Sequence, residues 1–314
     1  MTSVTPLPQL GVGLNYQPGL RTALGALHNA IDFFEISPDM LCRERSESPN
    51  KSSKRTLAYH PTLLDDALRS IENHPLVIHG LGLSIGSATG WNEGYLRILD
   101  ELYARRPFAW HSEHLAFLLT QTIDGQPLHT GVPLPLPFTE EALELLVPRA
   151  AALGERYGVP FLLENFTYYL PGIPCDGGRD EVAFLNDLTA RSGCGLLLDL
   201  YNFYCNALNF GFDAYEALGR LQLDRVVEIH IAGGAAHHGF QMDVHSQVTP
   251  EPVWKLLEWV APRAPNLAGI LYEVMEQALT LVGVEGIHGQ LERAREIWQQ
   301  TCAARNRRSA YATA

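Results

Sequence analysis

The feature that most constrains this chain is a set of eight short apolar runs spaced along almost its whole length. They are LGVGLN (10–15), FFEIS (33–37), LVIHG (76–80), FAWHSEH (108–114), FLLEN (161–165), GLLLDL (195–200), VVEIHIA (226–232) and ILYEV (270–274). Most show little polar alternation, so both faces of each are apolar, as in strands buried on both sides of a parallel sheet. Helical stretches lie between them. TLLDDALRSIEN (62–73) carries a stripe of Leu64, Leu68 and Ile71. TEEALELLVPRAAALGERYG (139–158) opens on Thr139 followed by an acidic pair, an N-cap signal, and closes on Gly158. PEPVWKLLEWVAPRA (250–264) and GIHGQLERAREIWQQTCAA (286–304) read the same way. Strand alternating with helix throughout predicts the α/β class and a single (β/α)8 TIM barrel over residues 1–314, a length inside the roughly 200–400 residues of such barrels. No linker divides the chain, and the small, polar tail at 305–314 is expected to be disordered. Two long loops, 38–60 and 115–138, follow strand ends, on the face where barrels build their sites.

Apolar residues make up 46% and charged residues 18%, which supports a large core and excludes a disordered chain. A formal net charge of −12 repels phosphate backbones and argues against nucleic acid as a partner. Five cysteines (Cys42, Cys175, Cys194, Cys205 and Cys302) form no CxxC pair and are odd in number, so a disulfide framework is not expected and a reducing cytoplasm fits best. The N-terminus has no signal-peptide pattern, and no apolar run approaches the ~18 residues of a membrane span.

The apolar runs end in polar residues of one chemical kind. In order they are Asn15, Glu35, His79, Glu113 with His114, Glu164 with Asn165, Asp199, His230 and Glu273, with Asp243 and His245 close behind His230. Singly, each has a plain reading: His79 as a core histidine, Asp199 as a cap for the next turn, Asp243–His245 as a chance pair. Together on one rim they call for a metal, because buried carboxylates and imidazoles are costly unless paired or coordinated. Histidine and carboxylate without thiolate suit Zn, Fe or Mn. Glu164, Asp199, Asp243 and Glu273 carry more negative charge than one divalent ion neutralises, so two or three carboxylate-bridged ions are expected. His79, His114, His230 and His245 complete the shells. Strand alternation sets His111 and Glu113 on one face and His114 on the other. His237–His238 in AGGAAHHG reads as a mobile loop, RERSESPNKSSKR (43–55) as a solvated loop or lid, and Cys205 as a small buried apolar residue. His28, His60, His74, His129 and His288 read as surface residues. GLGLSIGS (80–87) does not follow a dinucleotide fingerprint.

LGVGLN, HGLGLSIGS, SEHLAF, PLPLPFTEEAL, LLEN, GCGLLLDLYNFYCNALNFGFD, IHIAGG and the Asp-x-His pair resemble the multinuclear non-heme iron-dependent oxidative enzymes, over about residues 9–300. The resemblance implies a xylose-isomerase-like barrel holding two or three irons of mixed ferrous and ferric state, with molecular oxygen as co-substrate. It implies metal ligands at His79, His114, Glu164, Asp199, Asn202, His230, Asp243, His245 and Glu273, with Asn165 and Glu113 as the candidate catalytic residues. It also implies oxidation of a ribosomally made peptide, usually at cysteine, with a small partner protein that holds the leader of the precursor. The chain departs from the family pattern in three places: Gly233–Gly234 follows IHIA where many members carry a histidine, the last strand reads LYEVM, and the loop at 38–60 is longer than the family pattern implies. The alternatives are a redox-neutral Zn or Mn enzyme on the same barrel, an isomerase or phosphodiesterase, or a scaffold subunit without chemistry. The complete donor set opposes the last.

Overall fold

The structure, a computed structural model, describes residues 7–46 and 55–312. Eight parallel strands close into a barrel in chain order: β1 (Gly11–Asn15), β2 (Phe33–Ile36), β3 (Leu76–Gly80), β4 (His111–His114), β5 (Phe161–Glu164), β6 (Gly195–Asp199), β7 (Val226–Ile231) and β8 (Gly269–Tyr272). Each falls within or against one of the apolar runs. β8 returns to β1, Gly11 opposite Gly269 and Leu14 opposite Tyr272, so the sheet has no free edge. The principal helices around it are α1 (Pro61–Ser70), α2 (Glu93–Arg105), α3 (Glu140–Tyr157), α4 (Glu181–Ser192), α5 (Leu200–Phe210), α6 (Ala214–Arg220), α7 (Glu251–Val260) and α8 (Leu279–Ala312), the last broken by a kink at Gly283 (φ 68°). Thr139 caps α3 by accepting from the Ala142 N–H at 3.3 Å, and Gly158 ends it in the left-handed conformation, φ 66°.

Two layers fill the barrel. The lower is apolar, with Phe33, Val77, Trp110, Leu162, Leu197 and Leu271 in one cluster. Glycine makes room there: a Cβ on Gly269 would stand 2.9 Å from the Phe33 ring, and one on Gly13 would be closer still. The upper layer is polar. One irregularity links the two. Leu196 pairs with Val226 but Leu197 with Glu228, a β-bulge that leaves Val227 as the extra residue. Val227 and Glu228 both turn inward as a result. Val227 joins the apolar cluster, and Glu228 accepts a hydrogen bond from Trp110 Nε1 at 2.6 Å.

Four loop and tail expectations change. The stretch expected as an open loop or lid is an antiparallel hairpin of Cys42–Ser46 with Arg55–Tyr59; its residues 47–54 lie outside the described ones. The 115–138 loop is a second hairpin, Ala116–Gln121 with Pro127–Pro135. AGGAAHHG forms a short hairpin, Ala235–His237 with Phe240–Met242, turned at His238 (φ 47°) and Gly239 (φ 86°), the positive φ pair of a tight two-residue turn. The tail from 305 continues α8 to Ala312, and Arg305 explains why: its guanidinium donates to the carbonyls of Leu267 at 2.8 Å and Ala264 at 2.5 Å. Residues 313–314 lie outside the described ones. No helix among the described residues is long and apolar enough to cross a membrane, and the five cysteines are free thiols.

Candidate metal centre

The barrel gathers the polar strand ends at its C-terminal mouth. Four groups of three donors have ligand atoms within 4.8 Å of one another: His79, His114 and Glu164; Glu164, Asp199 and His230; Glu35, His230 and Glu273; and Asp199, His245 and Glu273. Every group shares a member with another. Glu164, Asp199, Glu273 and His230 each belong to two groups, so these residues would hold metal ions in common.

Each donor is set by its strand. On β3 and β4 the inward positions are Val77 and His79, then Trp110, Ser112 and His114. The Ser112 hydroxyl donates to Ile78 O at 3.0 Å, so toward His79 Nδ1, also 3.0 Å away, it accepts. His79 therefore carries a hydrogen on Nδ1 and turns Nε2 toward Glu164 Oε2, 3.1 Å away. His114 repeats the arrangement: Nδ1 donates to Gly80 O at 2.9 Å, and Nε2 lies 3.2 Å from the same Glu164 oxygen. Two imidazole nitrogens facing one carboxylate oxygen need positive charge between them, a proton or a metal ion. His79 Nε2, Glu164 Oε2, Asp199 Oδ2 and His245 Nε2 are buried without a hydrogen-bond partner, the condition of atoms kept for coordination. The residues present thus fit metal ions.

Asp199 has a double role. One carboxylate oxygen caps α5 through the Asn202 N–H at 2.6 Å, while Oδ2 faces the centre. His230 directs Nδ1 to Glu273 and Nε2 to Glu35, 3.2 Å each. His245 sits in left-handed backbone, φ 43°, which is uncommon outside glycine and concentrates at functional sites. Its Nε2 lies 2.5 Å from Asp243 and its Nδ1 3.4 Å from Glu273.

Several expected residues stand elsewhere. Glu113 and His111 point out of the barrel toward the helices, paired at 2.9 Å, with His111 packed on Phe161; alternation put the pair on the outward face, so Glu113 does not reach the centre. Burial holds the Glu113 carboxyl well above its usual range and pushes His111 down to about 3. Asn165 spends both ends of its amide on the Asp199 backbone, accepting from N at 2.8 Å and donating to O at 2.9 Å, so it is a clamp between β5 and β6 rather than a group free for substrate. Asn202 donates to Glu164 Oε1 at 3.2 Å and accepts from Thr167, so it orients a ligand from behind. Asp243 belongs to none of the four groups, but its Oδ1 lies 2.5 Å from His245 Nε2 and is buried without a hydrogen-bond partner, as the ligand atoms are. Asn15 latches the Val274 backbone, accepting at 3.0 Å and donating at 3.1 Å. Glu35 is the donor missing from the expected ligand set. Its position at a strand end, next to the apolar Phe33–Phe34 pair, was the available signal. The chain is crowded at Gly233 and Gly234: a Cβ on Gly233 would lie 2.5 Å from Gln247 O and one on Gly234 2.6 Å from the Tyr201 hydroxyl.

The centre stores protons when it holds no cation. Burial opposes charge on His79, but Glu164 and Glu35 outweigh it and raise its pKa to about 9. Burial, Glu164 and Asp243 push Asp199 well above the usual carboxylate range. A metal ion must displace these protons. Metal affinity should therefore rise with pH from about 6 toward 9, and loading at pH 7 should acidify an unbuffered solution. Calorimetry in two buffers of different ionisation enthalpy measures that release; identical enthalpies in both would refute it.

A profile of the family described as "RiPP precursor modification enzyme MbnB/TglH/ChrH", enzymes of ribosomally made and modified peptides, matches residues 11–299. A UPF0276 protein from Caulobacter vibrioides is 32% identical over 296 residues, covering 94% of this chain and 96% of its own length. Another, from Rhizorhabdus wittichii, is 38% identical over 194 residues, 62% of this chain and 67% of its own. Among solved structures, a protein provisionally named a xylose isomerase, from Rhodospirillum rubrum, superposes with a TM-score of 0.54 at 11% identity, covering 91% of this chain and 99% of that one, a likeness of fold. By the extent of the profile match and of the Caulobacter relative, the chain belongs to the MbnB/TglH/ChrH family of RiPP precursor modification enzymes.

Proposed function

We propose that this protein oxidises a cysteine of a ribosomally made precursor peptide, using two or three irons and molecular oxygen. The observation that carries the reading is the chain of overlapping histidine–carboxylate groups, with no thiolate among them, in a member of a peptide-modifying family. Nitrogen and oxygen donors suit iron, and the missing thiolate is the one a substrate cysteine would bring. Bound iron would supply a hold for that thiolate and a site at which oxygen is activated. The chain's own residues prepare the site. Ser112 and Gly80 O keep the Nε2 atoms of His79 and His114 bare, and Asn202 steadies Glu164. The precursor's leader would be held by a small partner protein while its core enters at the open end of the barrel.

The test uses protein prepared with iron under exclusion of air, metal content measured, and a cysteine-containing precursor peptide. Oxygen uptake should match peptide consumed, and changing the substrate cysteine to serine should abolish turnover, because a neutral alcohol is a far weaker ligand than a thiolate. Full activity with stoichiometric zinc, or turnover unaffected by removing oxygen, would defeat the reading.

A further inference from the structure

The helices α4, α5 and α6 border a half-open cavity of about 230 Å³, several times the ~30 Å³ share of one water molecule. Its walls include the aromatic rings of Phe138, Tyr168, Phe203 and Phe212, and four carboxylates reach it: Asp180, Glu181, Asp213 and Glu216. One guanidinium, Arg220, answers them, and it is held by Asp180 at 2.6 Å. Glu181 is the unusual member. It is 8% exposed, one oxygen takes a hydrogen bond of 3.3 Å from Asn206, and the other, Oε1, takes none from the described residues. Burial, the largest influence, raises its carboxyl to about 8, and a neighbouring cation would favour its ionised form. Phe138, Tyr168 and Glu181 also line a smaller adjoining pocket that reaches Phe166, whose ring lies 6.2 Å from that of His114.

We propose that this cavity is a specificity pocket for a lysine or arginine side chain of the peptide substrate, with Glu181 as its counter-ion. Its place in peptide recognition rests on the function proposed above; the cation pocket itself rests on the cavity. Aromatic walls suit the aliphatic stem and the face of a guanidinium, and the buried carboxylate suits the charged head. An anion would meet four carboxylates instead.

Iron-loaded protein is titrated by calorimetry with three capped amino acids: Nα-acetyl-arginine amide, Nα-acetyl-lysine amide and the uncharged Nα-acetyl-norleucine amide. The two cations should bind at least about tenfold more tightly than norleucine, the size expected of a charge-assisted contact. Glu181→Gln, which keeps the side-chain shape, should erase that preference while leaving the metal content unchanged. Norleucine binding as well as arginine, or an unchanged preference in Glu181→Gln, would overturn the pocket. If that variant fails to fold, the comparison of the three amides on the parent protein still decides. None of these measurements uses turnover. Cations that bind to an enzyme inert toward peptides would sink the proposed function and leave the cation pocket standing.

Discussion

Glu164→Ala should lower the metal affinity of the protein by at least about 100-fold, since losing a residue that merely supports a ligand already costs ~10–100-fold. Glu164 belongs to two of the four donor groups, and one of its oxygens faces both His79 and His114. Its loss would open two neighbouring ion sites at once. Asp243→Ala should do less, because Asp243 belongs to none of the four groups. The control is Glu113→Gln, which alters a carboxylate only one residue from His114 in sequence but outside the barrel wall, and which should keep the parental metal content. Metal analysis after passage over a chelating resin reads all three variants. Parental metal in Glu164→Ala, or metal loss in Glu113→Gln equal to it, would defeat the placement of the centre.

Phe33→Ala should destabilise the fold by about 3–5 kcal/mol, the usual cost of emptying a buried aromatic site. That is a large share of the ~5–15 kcal/mol by which domains are stable. The reason for expecting the upper end lies in what faces the ring. Gly13 and Gly269 offer no side chain to move into the vacated space, and Trp110, the other large neighbour, is fixed by its bond to Glu228. The void would open directly beneath the polar layer, so metal affinity should fall with stability. Denaturant titration measures the first effect. A loss under about 1 kcal/mol would mean that the floor of the barrel collapses easily and is not the rigid support described here.

The strands were legible because both of their faces are buried, which writes an apolar run into the sequence whatever the neighbours are. The polar ends were legible for the complementary reason, that a charged residue closing such a run has few structural excuses. What could not be read was distance. Glu35 lies in the same kind of position as Glu164, and only closure of the barrel brings it within reach of His230, 195 residues later. The choice between His114 and Glu113 needed to know which side of β4 faces inward, and alternation supplies two faces without labelling them. Asn165 and Asn202 sit among donors in sequence, yet the backbone of Asp199 and the carboxylate of Glu164 claim them. The hairpins formed by Cys42–Ser46 with Arg55–Tyr59 and by Ala116–Gln121 with Pro127–Pro135 were not legible because their strands pair only with each other outside the barrel and carry no continuous buried run.

Closure of β8 onto β1 also sets an order of events during synthesis. The His79, His114 and Glu164 group comes from β3, β4 and β5, three consecutive strands that are adjacent in the sheet. It can form once little more than half of the chain has emerged. The groups that include Glu273 wait for the final strand, and Glu35 cannot meet His230 before the sheet curls shut. A ribosome-bound intermediate would therefore own a first ion site long before the others, along with two open sheet edges. An ion captured there would tie three strands together and leave fewer wrong pairings for the rest of the nascent chain to sample.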